Sequence, residues 1–296
     1  MPRTGPFILV AIAITISVVA MAASPTATVA ESGDWRTDPI WHDGKAEWAL
    51  YDAVRPIYGV PRRYEATIFT NTQHQDPATT VKAVTPGAGT VEVFKHNLSE
   101  MIPTEHYTYR FLTTCFVERA TLETMKIVFS SQEDCGATYK QFVVTDDAVA
   151  AESFCYFPAA GTRRERYDTP VDLAFHDALS LTLRDYPFDD ASLPTIELDL
   201  VPDQTDTHAT LSNPAAARVE HAGRETLSLP YGSVDSHHLR VTHQRDGGTR
   251  ETNYWFAAEP GMQRVMVQYR GPYGVEYRLK RFGRWAYWNR GEAAPR

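Results

Sequence analysis

The densest group of chemically capable side chains lies in residues 128–143, VFSSQEDCGATYKQFV, where Ser130, Ser131, Gln132, Glu133, Asp134, Cys135 and Gly136 stand together. Catalysis here would need Cys135 as a nucleophile. Adjacent carboxylates raise a thiol pKa rather than lower it, and no His is near in sequence to activate it. The apolar runs on either side instead predict a strand, a turn and a second strand, with Gly136 supplying a tight-turn conformation and the Ser and Gln side chains bonding to the turn backbone. The ten His residues raise the question of a metal. His237 and His243 share strand parity but stand roughly 20 Å apart along a strand, too far to chelate one ion, and His237 and His238 face opposite sides. Carboxylates gather at Asp185, Asp189 and Asp190 and again at Glu197 with Asp199; such acids serve as general acid and base in a hydrolase, or simply as a solvated strand face. No G-x-S-x-G, H-E-x-x-H or P-loop pattern is present. These patterns assign no catalytic residue, no metal ligand and no cofactor. A hydrolase is the third hypothesis, behind two non-enzymatic ones.

The elements that would position these side chains are mostly strands. Glu47 to Ala53 alternates and is then broken by RPIYGVPRR at 55–63; Tyr64 to Asn71, Val91 to Phe94, Tyr107 to Glu118, Met125 to Ser131, Tyr139 to Thr145 and Ser153 to Phe157 extend a meander. One segment reads as a helix, 170–185, with Val171, Leu173, Ala174, Ala178, Leu181 and Leu183 at helical spacing, Thr169 as cap, Pro170 in the first turn and Tyr186-Pro187 as terminator. Beyond it the strand pattern returns at Ile196–Leu200, Leu239–Val241 and Tyr254–Phe256. Val265, Val267 and Tyr269 then point inward against Arg264, Met266, Gln268 and Arg270, and Tyr277 and Leu279 point inward against Arg278 and Lys280. Turn signals fall at Asp246-Gly247-Gly248, Pro260-Gly261 and Gly271-Pro272. The fold class is all-β, a curved antiparallel sheet or half-open β-barrel, with one long covering helix joining two strand-rich halves of a single domain over 46–296.

Ahead of that domain, residues 7–20, FILVAIAITISVVA, follow Arg3 and end in Ala20-Met21-Ala22, the pattern of a secretory signal peptide over 1–22. The run is shorter than the ~20 residues of a permanent span, so no membrane span is expected after cleavage. A flexible arm over 23–45 follows. The protein is expected to be exported, to a periplasm or to the outside of the cell. Cleavage removes Arg3 and takes the formal charge from −8 to about −9, which disfavours nucleic acid as a partner. Three Cys in an exported chain allow at most one internal bridge. Cys135 and Cys155 are the pair that adjacent hairpins would close, and Cys115 packs as a small apolar residue.

Basic residues cluster at Arg163, Arg164 and Arg166, and at Arg278, Lys280, Arg281 and Arg284 beside Trp285, Tyr287 and Trp288. The second set suits anionic headgroups or a partner protein, or else cross-strand pairs that blunt a sheet edge. The C-terminal order, with YWFAAEPGMQRVMVQYRG and a last strand closing in Arg284-Trp285-Ala286-Tyr287-Trp288, resembles periplasmic families related to the lipoprotein-localisation carriers LolA and LolB. The N-terminal half, with YGVPRR, SSQEDCG, Tyr139, Gln141 and Phe154-Cys155-Tyr156-Phe157, is similar to exported bacterial proteins of unknown function. The resemblance implies a half-open barrel whose concave face holds a lipid or a lipoprotein acyl chain. That face would comprise Leu173, Leu181, Val265, Val267, Tyr269, Tyr277 and Leu279. The alternative is docking of an envelope protein at an edge formed by Arg278, Arg284, Trp285 and Trp288.

Overall fold

The computed structural model describes residues 34–158, 160–245 and 247–295. The expected signal peptide, and the arm as far as residue 33, lie outside the described residues.

The strands are β1 (Ala46–Ile57), β2 (Val60–Asp76), β3 (Val81–Lys82), β4 (Val91–Pro103), β5 (Thr108–Glu118), β6 (Thr124–Glu133), β7 (Gly136–Val144) and β8 (Ala148–Cys155). They continue as β9 (Gly161–Asp168), β10 (Leu173–Phe175), β11 (Ile196–Val201), β12 (Ala215–Leu229), β13 (Gly232–Arg245), β14 (Gly248–Ala257), β15 (Met266–Arg270) and β16 (Glu276–Trp285). All belong to one sheet in the order β10-β11-β12-β13-β14-β15-β16-β1-β2-β4-β5-β6-β7-β8-β9, with β3 on β2. Pairing is antiparallel except between β10 and β11. Each strand predicted by alternation overlaps an observed one, and those at 107–118, 139–145 and 153–157 overrun it by one or two residues.

The segment 55–63 does not break a strand. Arg55 to Ile57 continues β1, Tyr58-Gly59 is a two-residue turn and β2 starts at Val60. Both turn residues are left-handed, φ 52° at Tyr58 and 74° at Gly59, the conformation that matches hairpin twist. Pro56 pairs with Pro61 next to the closing Ile57–Val60 pair, at the site of an antiparallel ladder that exchanges no hydrogen bonds, so neither proline costs one.

Curvature follows from the chain itself. Fifteen strands along the path would span roughly 67 Å if laid flat at ~4.8 Å spacing. Yet the edge strands β9 and β10 are joined by residues 169–172 alone, which reach at most roughly 18 Å. The sheet therefore curls until its two edges approach one another, without pairing.

The long covering helix is not formed. Residues 173–175 are drawn into β10, where Leu173, Ala174 and Phe175 pair in parallel with Asp199, Leu200 and Val201. Sheet hydrogen bonds at that edge override the local helical pattern. What remains is a 3₁₀ turn (His176–Ala178), α1 (Leu179–Thr182) and a second 3₁₀ turn (Leu183–Asp185). This short plug lies inside the curl. His96 on β4 bonds Ser180 (Nε2 to Oγ, 2.9 Å), the Cys115 thiol on β5 donates to the Asp177 carbonyl (3.3 Å), and Arg184 meets Glu47 on β1 (2.8 Å). Leu179 and Leu183 enter one core with Val265, Val267 and Leu279; Ala178 and Leu181 enter a second with Trp35, Trp41 and Phe94. Strand β15 is buried on both faces from Met266 to Tyr269, so Met266 and Gln268 do not face solvent as alternation predicted.

The described part of the arm is docked rather than flexible. Trp35 stacks on Phe94 with ring centres 5.3 Å apart and Trp41 meets it edge-on at 4.9 Å. Arg284 fixes the arm from the other side, bonding Asp43 (2.7 Å) and the carbonyls of Ile40 and Lys45 (both 2.8 Å).

The polar knot is the expected hairpin corner, with Asp134-Cys135 as its turn. Gly136 has no left-handed φ; it is needed because a Cβ there would come within 2.9 Å of the Tyr156 ring. The expected bridge is absent: Cys115, Cys135 and Cys155 are free thiols. Cys155 pairs with Thr138, three residues along β7 from Cys135. That is about 10 Å, beyond the ~7 Å Cα separation a disulfide can close.

Candidate functional site

Strands β14, β15 and β16 place Tyr254, Tyr269 and Tyr277 directly opposite one another. Side chains in one cross-strand row share a face, and these three point into the curl. Their rings follow at 5.1 Å and then 5.2 Å between centres. The tyrosine row forms one wall of an interior chamber. Its deep end, about 40 Å³, lies between the tyrosines and the plug, against His176, Asp177 and Asp203. Its mouth, about 330 Å³, is walled by Ile57, Tyr58, Tyr109, Phe111, Tyr273 and Val275. Arg55, Asp203, Thr205 and Tyr269 border both spaces, so floor and mouth are adjacent.

Buried charges at the chamber are paired. Arg55 holds Glu100 through two bonds of 3.1 Å (Nε to Oε1, Nη2 to Oε2). The Tyr277 hydroxyl accepts from Arg55 Nη2 and donates to Glu100 Oε1, both at 2.9 Å, and the Tyr64 hydroxyl also donates to Oε1. Beyond Thr205, Lys140 bonds Asp206 (2.7 Å) and the Gln204 carbonyl (3.2 Å). The carboxyl of Asp177 accepts from the Gln204 amide (3.2 Å) and Thr205 Oγ1 (2.9 Å), and is hydrogen-bonded to Asp203. Burial, and then the Asp203 carboxylate beside it, push Asp177 up to about 8. Burial opposes ionisation of Asp203 too, but the Arg55 charge and the bonds from Thr205 and Asp177 hold it below the usual carboxylate range. Near neutral pH the pair therefore carries one proton and one negative charge. Both residues are half-exposed because they border the open space.

Two histidines and a tyrosine complete the floor's surroundings. His176 Nε2 lies 3.2 Å from the Tyr269 hydroxyl, and burial pulls its pKa down so that it stays neutral. His243, buried on β13, is likewise pulled down by burial, to about 4. The Tyr254 hydroxyl is buried and has no hydrogen-bond partner among the described residues. The arrangement can offer a ligand hydroxyl a donor, Tyr254, and an acceptor, Asp203, within one space.

Of the residues expected to hold a ligand, Tyr269 and Tyr277 line this chamber. Leu173 lies in a separate groove of about 230 Å³ with Leu122, Leu183 and Leu198. Leu181, Val265, Val267 and Leu279 are packed in the two cores, so the concave face is filled where they stand. The Arg/Trp edge is not an edge: β16 lies between β15 and β1, and the sheet ends at β9 and β10. Arg278 bonds the Ser228 carbonyl (2.7 Å), and Trp285 packs on Trp48 and bonds the Glu292 carbonyl (3.1 Å). With Arg284 tied to the arm, Trp288 alone of the four keeps an exposed ring. The acids between 185 and 199 do not converge either: Asp185 meets Arg36, Asp189 meets Arg264 and Glu197 meets Arg218. Among the described residues no group of three or more His, Cys, Asp or Glu side chains could hold a metal ion. No described helix is long and apolar enough to cross a membrane.

Sequence reasoning missed Arg55, Glu100, Asp177 and Asp203. Asp177 reads as the polar side of a helix and Asp203, in PDQTD, as a turn residue; nothing in the spacing joins them.

Residues 150–280 match a family model described as a protein of unknown function, DUF3108. The chain is similar to that family over this stretch. It contains the tyrosine row, the plug and the carboxyl pair, whereas Arg55 and Glu100 lie before it. No curated protein and no solved structure matches the chain.

Proposed function

We propose that this is an exported, non-enzymatic binding protein that holds an amphiphile in the chamber between the curved sheet and its inner plug. One observation carries the reading: an apolar, aromatic mouth adjoins a polar floor. Its volume of about 330 Å³ falls in the ordinary range for small-ligand pockets, about 300–1,000 Å³. An acyl chain, or another apolar tail, would lie against Ile57, Phe111 and Val275 rather than against Leu181 and Val267, where the core is solid. The mouth is also strained. Tyr273 borders it in left-handed backbone, φ 60°, as does Tyr58 in the β1–β2 turn, φ 52°, and the two are 65% and 75% exposed. A non-glycine residue in that region costs about 1–2 kcal/mol, and such strain collects where side chains must be presented to a ligand. The resemblance to the LolA and LolB carriers belongs with this proposal, since a curved sheet around an inner plug is the geometry it implies. The test is native mass spectrometry of the mature protein together with titration by a fluorescent fatty acid. Val275→Asp, at the mouth, is expected to weaken binding about tenfold or more by placing a charge against the tail. Repeated preparations without bound lipid, and no binding of either a fatty acid or an uncharged alkyl amphiphile, would remove the proposal.

A further inference from the structure

We infer that the chamber floor selects an uncharged, polyhydroxylated head group, such as a sugar, and this inference rests on the amphiphile-binding reading above. The charged side chains around the floor and mouth already have partners before any ligand arrives, and the Asp177–Asp203 pair keeps one negative charge, which Arg55 faces. Arg55 is held by Glu100, and Lys140 by Asp206. Asp177 is bonded to Asp203, and Arg245 at the mouth also has a partner. An anionic head would enter beside Asp203 and Asp206; a cationic head would enter beside Arg55 and Arg245. Either one would bring an uncompensated charge into a desolvated space.

Neutral hydroxyls meet the opposite situation. The Tyr254 hydroxyl lies at the floor, 1% exposed and without a partner, so a ligand hydroxyl reaching it satisfies a donor that folding leaves unused. The carboxyl oxygens beside it accept while Tyr254 donates, which suits a hydroxyl that does both. The deep end, about 40 Å³, admits a hydroxyl or hydroxymethyl group but not a ring. A ring would rest in the mouth against Tyr58, Tyr109 and Tyr273, whose faces match the apolar face of a pyranose while their hydroxyls remain at the rim. Tyr109 donates to Tyr58 there at 2.6 Å, so these phenols already form a fixed polar border.

The experiment is calorimetric titration of the mature protein, below micelle concentrations, with four ligands: n-octyl β-glucoside, methyl β-glucoside, octanoate and octyltrimethylammonium. The octyl glucoside is expected to bind at least about tenfold tighter than either charged octyl ligand. Tyr254→Phe is expected to weaken the glucoside about fivefold, the factor for one hydrogen bond, and to leave octanoate unchanged. Equal affinity for the three octyl ligands, or an equal effect of Tyr254→Phe on all of them, would overturn the head-group inference while leaving the amphiphile reading intact. Absence of binding by every octyl ligand would overturn both. Methyl glucoside separates the sources of the head group: binding within tenfold of the octyl compound assigns the site to free sugars, which supports the head-group inference and removes the tail.

Discussion

Glu47 and Arg184 make the most consequential ion pair in the molecule. The two side chains are 2% and 1% exposed and are joined by bonds of 2.8 and 3.0 Å. Arg184 also lies 5.5 Å from the centre of the Trp35 ring and 3.4 Å from the carbonyls of Ser180 and Gln263. One guanidinium thus ties the plug to β1, to the β14–β15 loop and to the arm. Replacing Glu47 by Gln keeps the shape and leaves the guanidinium charge uncompensated, for which the cost is about 3–5 kcal/mol. At about 2–4 °C per kcal/mol for a domain of this size, the midpoint of thermal unfolding should fall by roughly 6–20 °C. The double variant Glu47→Leu/Arg184→Met removes both charges and should be as stable as the wild type or more so, since well-packed apolar replacements of buried pairs are commonly neutral or stabilising. The assay is urea unfolding of the wild type, both single variants and the double, read as a double-mutant cycle. A loss below about 1 kcal/mol for Glu47→Gln is the level of a surface pair and would refute the description of a desolvated anchor.

Four further outcomes are expected. Burial pulls His96 down to about 3 and His237 to about 4, and lowers His176 as well. The folded state therefore refuses protons that the unfolded chain takes up below about 6.5, so this stability is complete above that pH and is lost as pH falls toward 4. Unfolding midpoints measured from pH 8 to 4 should decline through that window, and His96→Gln should flatten the decline. Asp177 works in the opposite sense: its folded pKa is raised, so its contribution is largest at low pH and disappears between about 4 and 8. Asp177→Asn should raise the unfolding temperature at pH 8 and lose that gain near pH 4; a gain independent of pH would contradict the shared-proton pair. One thiol per native chain should react rapidly with a maleimide, with two more after denaturation and none in native Cys135→Ser; a mass 2 Da low with no fast thiol would restore the bridge. Trp41→Ala, which empties the contact with Phe94, should cost about 3–5 kcal/mol in urea unfolding, and a negligible loss would mean that the arm does not dock.

Strand positions were legible because an alternating sequence needs only its own neighbours to declare which face is apolar. The runs around Tyr109, Ile127, Phe142, Val241 and Tyr277 therefore read correctly, and the turn at Gly271-Pro272 fixed the last hairpin. The helix over 170–185 read wrongly for the complementary reason. Local spacing favoured it, but residues 173–175 found β11, a partner that sequence does not name. Tyr269 and Tyr277 could be placed on the inner face by parity alone. Whether that face was solid or hollow depended on what stood opposite, and there Leu279 and Val267 met the core while the tyrosines met open space.

The sequence by itself determined a β-rich chain of mostly antiparallel strands, its hairpin corners, and an inward set of tyrosines, because these are properties of alternation and turn chemistry. Only the tertiary structure decided that Arg55 meets Glu100 and that Asp177 meets Asp203. It alone turned the apparent Arg284 edge into a clamp on the arm. Those pairs join residues 45, 26 and 241 positions apart (Arg55–Glu100, Asp177–Asp203, Arg284–Asp43), and such meetings are set by the register and curl of the sheet rather than by any local pattern.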